Sequence, residues 1–590
     1  MIVSVQIAFG IALTTIFLLY YVCPRPRSSL SNVGTASHAK SDLAQGSKVD
    51  TRSEDEVRTC KDLYHKLQNL EDFPQILPKA RQVLVSFLYQ GLLLERYKSR
   101  ESSILTIEEY CPTALEKFLS ADSQDVSDRW EQYIKRRASG QGPELFVNHE
   151  DAKEWLKQCA PLNYVDGAWL CHIHKITTPF ALRGVTKDAW QTFSEELGDG
   201  ELEKNHVFLY KNLLRDIGID LPDGDNADFT HARHGMKDDQ IWKAATAQLL
   251  ISLFPNDFLP EVLGFNMHFE RLSVQTLKAS KELPEFGISG YYFALHVSID
   301  NSDSGHSAMA LATVIRFLSI VKETGLMNVQ EAWKRIQAGY LLSQSFEDKA
   351  TLQMYESRVA DILRNKACLS RKIHCTSRVR IGQRSLEAWL SSHSCNGSSG
   401  WKQDFLNALA NARPWIYKGN SSKSLFMREL SWKGRMFGAF TNSEVESIRT
   451  WIDSLETDNA NYQERYWQTV GRHEHKEAPF ALSSQDPAVD HPAFPPQQKL
   501  HKIEKHRHIF TTRPALQASK VQLDALLPIW FVHPCLLDNM VSSPYQTATP
   551  LASHILRILR AESGYKPETS GIAGMDEQLH PSYKIGRAHV

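Results

Sequence analysis

An unbroken apolar run opens the chain, and helical periodicity fills most of the remainder. Ile2 to Val22 carries no charged residue, matching the roughly 20 apolar residues that a bilayer-spanning helix needs. Pro24-Arg-Pro-Arg27 comes directly after it, and bulky Leu18-Leu-Tyr-Tyr-Val22 closes the run where a cleaved leader would have small residues. Residues 1–27 therefore read as a signal anchor. The basic flank places the body on the cytoplasmic side of a membrane, expected to be the endoplasmic reticulum. Residues 28–56 are polar, with no apolar period, and read as a flexible tether.

Helical spacing begins near Val57. Leu63, Leu67 and Leu70, then Val83, Leu84, Phe87 and Leu88, mark a helical region over 57–137, which Ser139-Gly-Gln-Gly-Pro143 ends. Residues 155–342 hold further helical stretches: Asp188–Leu197, Lys204–Ile217, Gln240–Leu253, Leu259–Leu277, Tyr291–Ser298 and Ala308–Thr324. Strand patterns are scarce, so the fold class is mainly α, a bundle of long helices. Another helical unit is expected over 372–457, with aromatic cores at Arg413-Pro-Trp415 and Trp432–Phe440. Residues 458–522 read as a polar His/Pro-rich linker, and 523–583 as a C-terminal helical segment. The closing Ile585-Gly-Arg-Ala-His-Val590 is what a common sequencing adapter encodes in this frame, so no structural or functional expectation attaches to it.

Composition changes this picture little. The 590 residues are 42% hydrophobic and 23% charged with a net charge of −1, enough to bury large cores and without the basic field that nucleic acid would call for. Nine cysteines lie scattered without CxxC pairs, which fits a reducing compartment.

Candidate chemistry concentrates between Glu196 and His306. Carboxylates mixed with imidazoles suit iron or manganese better than a structural zinc site. Gly198 and Gly200 break the helix between Glu196 and His206, and Glu203 forms an i, i+3 pair with His206 on one helix face. Glu196 and Glu203 both offer a first carboxylate. Glu261 follows Pro260 at an expected helix start, where it could also serve the helix dipole, and His268 lies further along the same helix. His296, Asp300 and Asp303 fall at i, i+4, i+7 behind an aromatic stretch, where embedded polar groups need partners. The alternative for that segment is a polar helix end with Asn301, Ser302 and Ser304 as turn residues. His306, past Gly305, could replace Asp303.

These segments resemble the iron-containing redox enzymes of haem-oxygenase-like fold, the haem-oxygenase-like diiron oxidases. The strings Asn163-Tyr-Val-Asp-Gly-Ala-Trp-Leu170, Gly198-Asp-Gly200, Asn205-His206 and Pro260-Glu-Val-Leu-Gly264 look like the large fungal branch of that group. The likeness covers about Trp155–Leu326. It implies a haem-oxygenase-like bundle of seven helices, three of which hold two ferrous ions. By that likeness His206, Glu261, His296 and Asp300 are ligands, and the first carboxylate is Glu196 or Glu203, with Glu196 favoured. The family pattern often has His three residues after the Asp; here Asp303 stands there. That departure leaves mononuclear iron, or a loosely held second iron, open.

The resemblance further implies reaction with dioxygen and oxidation of a small amine or carboxylic acid by N-oxygenation, desaturation or C–C cleavage. Arg183, Arg233 and Lys204 are the cations considered for a carboxylate substrate, and His231 and His234 for the pocket, surface positions being the default for all five. A non-catalytic membrane-tethered scaffold is the competing reading; haem binding and zinc hydrolysis trail it. GxSxG, P-loop and GxGxxG patterns are missing. Substrate identity and oligomeric state are not encoded in any motif.

Overall fold

The computed structural model describes residues 51–97, 103–175, 178–302, 304–347, 352–374, 380–390, 401–455, 462–471, 541–562 and 565. The expected anchor over 1–27, Asp303 and the histidines from His473 to His508 lie outside them. Among the described residues no helix is long and apolar enough to cross a membrane.

Helices dominate. The N-terminal part supplies α1 (Thr51–Leu67), α2 (Leu77–Tyr97) and α3 (Pro112–Ala138). Helix α1 thus begins inside the expected tether. The central stretch supplies α4 (His149–Asn163), α5 (Arg183–Glu196), α6 (His206–Asp216), α7 (Asp239–Ile251), α8 (Pro255–Phe269), α9 (Val274–Glu285), α10 (Tyr291–Ile299), α11 (His306–Thr324) and α12 (Val329–Gln344). Side-chain caps start several of these helices by taking up otherwise orphaned N–H groups. Asn148 accepts from Asp151 N, Asn205 from Phe208 N, and Asp238 from Gln240 N and Ile241 N.

The single helix expected over Leu259–Leu277 is two. Helix α8 stops at Phe269, and the Ser273 side chain starts α9 by accepting from Thr276 N. Capping geometry thus overrides a continuous apolar period. Helix α10 likewise stops at Ile299, so Asp300 closes the helix instead of lying within it.

Beyond Gln344 come α13 (Leu352–His374), a short antiparallel ladder of β1 (Arg380–Ile381) and β2 (Arg384–Ser385), α14 (Leu386–Leu390), α15 (Trp401–Ala410), α16 (Leu425–Leu430) and α17 (Asn442–Ser454). These pack a second, smaller core around Val359, Trp401, Ile448 and Trp451. The aromatic core expected over Trp432–Phe440 is not continuous: Trp432 and Phe437 are exposed, and their rings meet edge to face at 5.0 Å.

Among the described residues, three further helices return to the main core: α18 (Tyr462–Val470), α19 (Pro544–Thr547) and α20 (Pro550–Glu562). Helix α18 falls within the expected 458–522 linker. Tyr466, Trp467 and Val470 form its buried face, an apolar stripe too short to stand out in a polar tract. One apolar core therefore runs from Cys60 and Leu88 through Trp169, Trp242 and Trp333 to Trp467 and Leu556.

Helices α8 and α12 cross closely, made possible by a glycine on each. A Cβ on Gly264 would strike the Ile336 carbonyl, and one on Gly339 the Glu261 carbonyl. Close-packed interiors cannot absorb such an intrusion cheaply. Helix α12 thus fixes the position of α8, which is closed at its C-terminal end by the buried carboxylate Glu270.

Candidate metal centre

Seven carboxylates and imidazoles meet where helix ends converge. Asp166 lies in the turns after α4. Glu196 is the last residue of α5 and His206 the first of α6; between them Gly198, Asp199 and Gly200 take positive φ values of 72°, 53° and 88°, reversing the chain. Glu270 closes α8, His296 lies in α10, Asp300 closes α10, and His306 opens α11. The corner between Asp300 and His306 is set by Asn301, whose Oδ1 accepts from Ser304 N at 2.9 Å and Gly305 N at 3.1 Å.

The seven form two groups, each with its ligand-capable atoms within 4.8 Å of one another: Asp166, Glu196, His206 and His296, then Glu196, Glu270, Asp300 and His306. Glu196 belongs to both. Its Oε2 faces His206 Nδ1, and its Oε1 lies 3.1 Å from His306 Nδ1. All are buried except His296, which is partly so.

In the first group Asp166 Oδ2 stands 3.5 Å from both His206 Nδ1 and His296 Nε2. The Tyr292 hydroxyl donates to the same oxygen at 2.9 Å. His296 Nδ1 lies 2.9 Å from the Tyr292 carbonyl, so it carries the proton and leaves the Nε2 lone pair directed at the group. In the second group His306 Nδ1 faces three carboxylate oxygens: Glu196 at 3.1 Å, Glu270 at 3.1 Å and Asp300 at 3.4 Å. One ring nitrogen carries at most one proton and cannot satisfy three acceptors. Its other nitrogen, Nε2, lies 2.9 Å from Glu195 Oε2, an arrangement that fixes ring orientation in metal sites.

Hydrogen bonding confirms the mismatch. Glu196 Oε2, His206 Nδ1, Glu270 Oε1 and Asp300 Oδ1 are buried and make no well-aligned hydrogen bond, although Glu196 Oε2 and His206 Nδ1 face each other as an ion pair. Four such atoms in one place is a concentrated departure from the rule that buried polar groups are satisfied. Oxygen and nitrogen donors without thiolate suit iron or manganese, so the residues fit the metal that the sequence resemblance implies.

The electrostatics agree. Burial opposes charge on His206, yet Glu196 and Asp166 push it up to about 10. Burial likewise opposes charge on His306, but Glu270, Asp300, Glu195 and Glu196 hold it well above the usual histidine range. Burial would raise Glu196, but His206 and His306 hold it well below the usual carboxylate range. Burial pushes Glu270 up to about 8; His306 opposes the rise, and Glu196 and Asp300 add to it. Protons on the histidines are one way to balance this charge, and divalent cations are another.

Of the residues singled out in the sequence, Glu196, His206, His296 and Asp300 come together, and His306 joins them. Glu203 is exposed on the turn before α6. Asp303 is outside the described residues. Glu261 belongs elsewhere. Its Oε1 accepts from Arg335 Nε at 2.7 Å and the Tyr466 hydroxyl at 2.6 Å, and its Oε2 from Arg335 Nη2 at 2.9 Å. This is a buried ion pair in which both carboxylate oxygens have partners, and Glu261 belongs to neither carboxylate–histidine group. His268 is also buried away from both groups, its Nδ1 2.9 Å from Ser343 Oγ. Arg233 pairs with Asp228, Lys204 with Glu201, and Arg183 Nε donates to the Thr178 carbonyl. His231 caps a short turn and His234 pairs with Asp228.

Asp166 and Glu270 are the two members of these groups that sequence reasoning missed. Asp166 lies in the Asn163–Leu170 string, whose turns have no period to mark a ligand. Glu270 would have been found only by recognising the break before Ser273, which places it at a helix end.

Residues 153–340 match the family of iron-containing redox enzymes. All seven residues of the two groups fall inside that stretch. No curated protein and no solved structure matches the chain. The matched stretch is embedded in a larger body, since α2, α18 and α20 pack on its helices.

The two kinds of buried carboxylate should respond differently to mutation. Replacing Glu261 by Ala is expected to cost about 3–5 kcal/mol of stability, because Arg335 is left buried without its partner, while metal uptake per folded chain stays unchanged. Urea unfolding followed by circular dichroism, with metal counted on the folded fraction, checks both. A folded variant that loses metal would return Glu261 to the ligand set.

Proposed function

We propose that this protein is a dioxygen-using oxidoreductase whose centre holds two ferrous ions, one in each carboxylate–histidine group. The observation that supports it is the sharing of Glu196, whose two oxygens face different groups. Asp166, His206 and His296 would complete one set of ligands, and Glu270, Asp300 and His306 the other. Two-metal carboxylate sites in helical bundles are built from such Glu, Asp and His side chains on facing helices. When bound, ferrous iron supplies electrons for the reduction of dioxygen.

The remaining roles belong to the chain. Tyr292 orients two ligands at once, through its hydroxyl to Asp166 and its carbonyl to His296. Glu195 orients His306 and increases the basicity of the ligating nitrogen. Trp169, whose Nε1 donates to Asn266 Oδ1 at 2.8 Å, ties the turn bearing Asp166 to α8. Burial keeps bulk water from the group, which strengthens every charge interaction inside it. The resemblance to haem-oxygenase-like diiron oxidases supports a small amine or carboxylic acid as substrate, oxidised by N-oxygenation, desaturation or C–C cleavage. The apolar run Ile2–Val22 supports a tether that holds the body on the cytoplasmic face of the endoplasmic reticulum membrane.

Two experiments test this reading. Anaerobic protein loaded with ferrous iron and mixed with oxygen should consume it and show a transient absorbance change, whereas His306→Ala should lose the response while keeping its helical signal. No oxygen uptake by the loaded wild-type protein would leave a non-catalytic metal-binding scaffold. For the tether, deletion of residues 1–27 should move the protein from the membrane pellet to the supernatant, and persistence in the pellet would place the anchor elsewhere.

A further inference from the structure

The loop between Glu196 and His206 is held from far outside the family stretch. Asp199 sits at its centre with φ 53°, flanked by two glycines in the same left-handed region. Few non-glycine residues enter that region, aspartate being among those that do, and one held there persists when its surroundings impose it. Helix α20 provides those surroundings.

Arg560 is buried, and its Nη1 donates to Asp199 Oδ1, to Ser194 Oγ at 2.6 Å and to Gln191 Oε1 at 3.4 Å. Ser194 Oγ in turn donates to Asp199 Oδ1 at 2.7 Å. The guanidinium lies 5.3 Å from the Tyr565 ring, which stacks on Trp190 of α5 at 5.4 Å, and the Tyr565 hydroxyl donates to the Lys187 carbonyl. Gly200 touches the same helix so closely that a Cβ would meet the Arg557 side chain and, at 2.7 Å, the Ser553 carbonyl. Helix α20 therefore grips both the last turns of α5, which end in Glu196, and the loop that leads to His206.

We infer that Arg560 is a positioning residue of the metal centre: by clamping Ser194 and Asp199 it sets the separation and orientation of Glu196 and His206. This inference rests on the proposed centre. It gives the C-terminal helix a part in the site although the family match ends at residue 340. A charged guanidinium suits the task because its Nη1 draws the Asp199 carboxylate, the Ser194 hydroxyl and the Gln191 amide oxygen to one point by charge-assisted hydrogen bonds. A merely structural Arg560 would affect global stability and nothing at the ligands.

The test uses the full-length protein with manganese(II) as probe, read by electron paramagnetic resonance for both dissociation constant and spectral shape. Arg560→Ala should bind manganese about 10-fold more weakly, the lower end of the effect of removing a direct partner of a metal ligand because Arg560 acts through Ser194 and Asp199, with an altered bound spectrum and a retained helical signal. Arg560→Lys should recover part of the affinity. Tyr133→Phe, which removes a buried hydrogen bond between two residues that belong to neither carboxylate–histidine group, should leave both readouts at wild-type values. An Arg560→Ala protein with wild-type affinity and spectrum and only a lower unfolding midpoint overturns the inference. Should Arg560→Ala fail to fold, Asp199→Asn carries the same test under the same criteria. Wild-type protein that takes up no manganese overturns the centre and the clamp together.

Discussion

Like charges converging on one buried point are the constraint around which this helical body is arranged. Glu196, Glu270 and Asp300 all sit at the C-terminal ends of helices, where the helix dipole already concentrates negative charge. His206 and His306 open helices, where protonated imidazole is disfavoured for the mirror-image reason. Each group is thus at the wrong end of its helix for its own charge. Even at an effective dielectric constant of 20, two unit charges about 4 Å apart interact by roughly 4 kcal/mol, more than a typical net hydrogen bond of about 1 kcal/mol. Cations placed between the carboxylates turn that repulsion into attraction and use the neutral imidazoles as ligands.

Glu261 shows what an ordinary buried carboxylate looks like in the same body. It is as buried as Glu196, but Arg335 and Tyr466 satisfy it. Burial alone therefore does not mark a ligand. The distinguishing feature is the unsatisfied oxygen, present on Glu196, Glu270 and Asp300. Tyr466 comes from α18 and Arg560 from α20, so the C-terminal part of the chain finishes both the structural ion pair and the loop between Glu196 and His206.

The helical class was readable from apolar spacing, and so was the neighbourhood of the site, because Glu196, His206, His296 and Asp300 interrupt apolar or glycine-marked segments. Glu261 was misplaced for a physical reason. Its resemblance to a motif says nothing about Arg335, which lies on another helix and captures it. Glu270 was hidden because the apolar period runs across the break that Ser273 caps, so it looked like a mid-helix residue. Asp166 lies in turns, where periodicity has no meaning. Helix α18 escaped notice because three apolar residues in a polar tract become a core face only when a groove receives them. Partners distant in sequence carried the decisive information in each case but Glu270, where local capping did.

The central claim is that Glu196 joins two metal positions into one centre. The most direct measurement is iron stoichiometry with Mössbauer spectroscopy on full-length protein loaded anaerobically with ferrous iron, beside Glu196→Ala. The account predicts about two irons per chain, as expected of a two-metal site, in two distinct environments, with both reduced in the variant. One iron in a single environment, or a Glu196→Ala protein that keeps full occupancy, would contradict it.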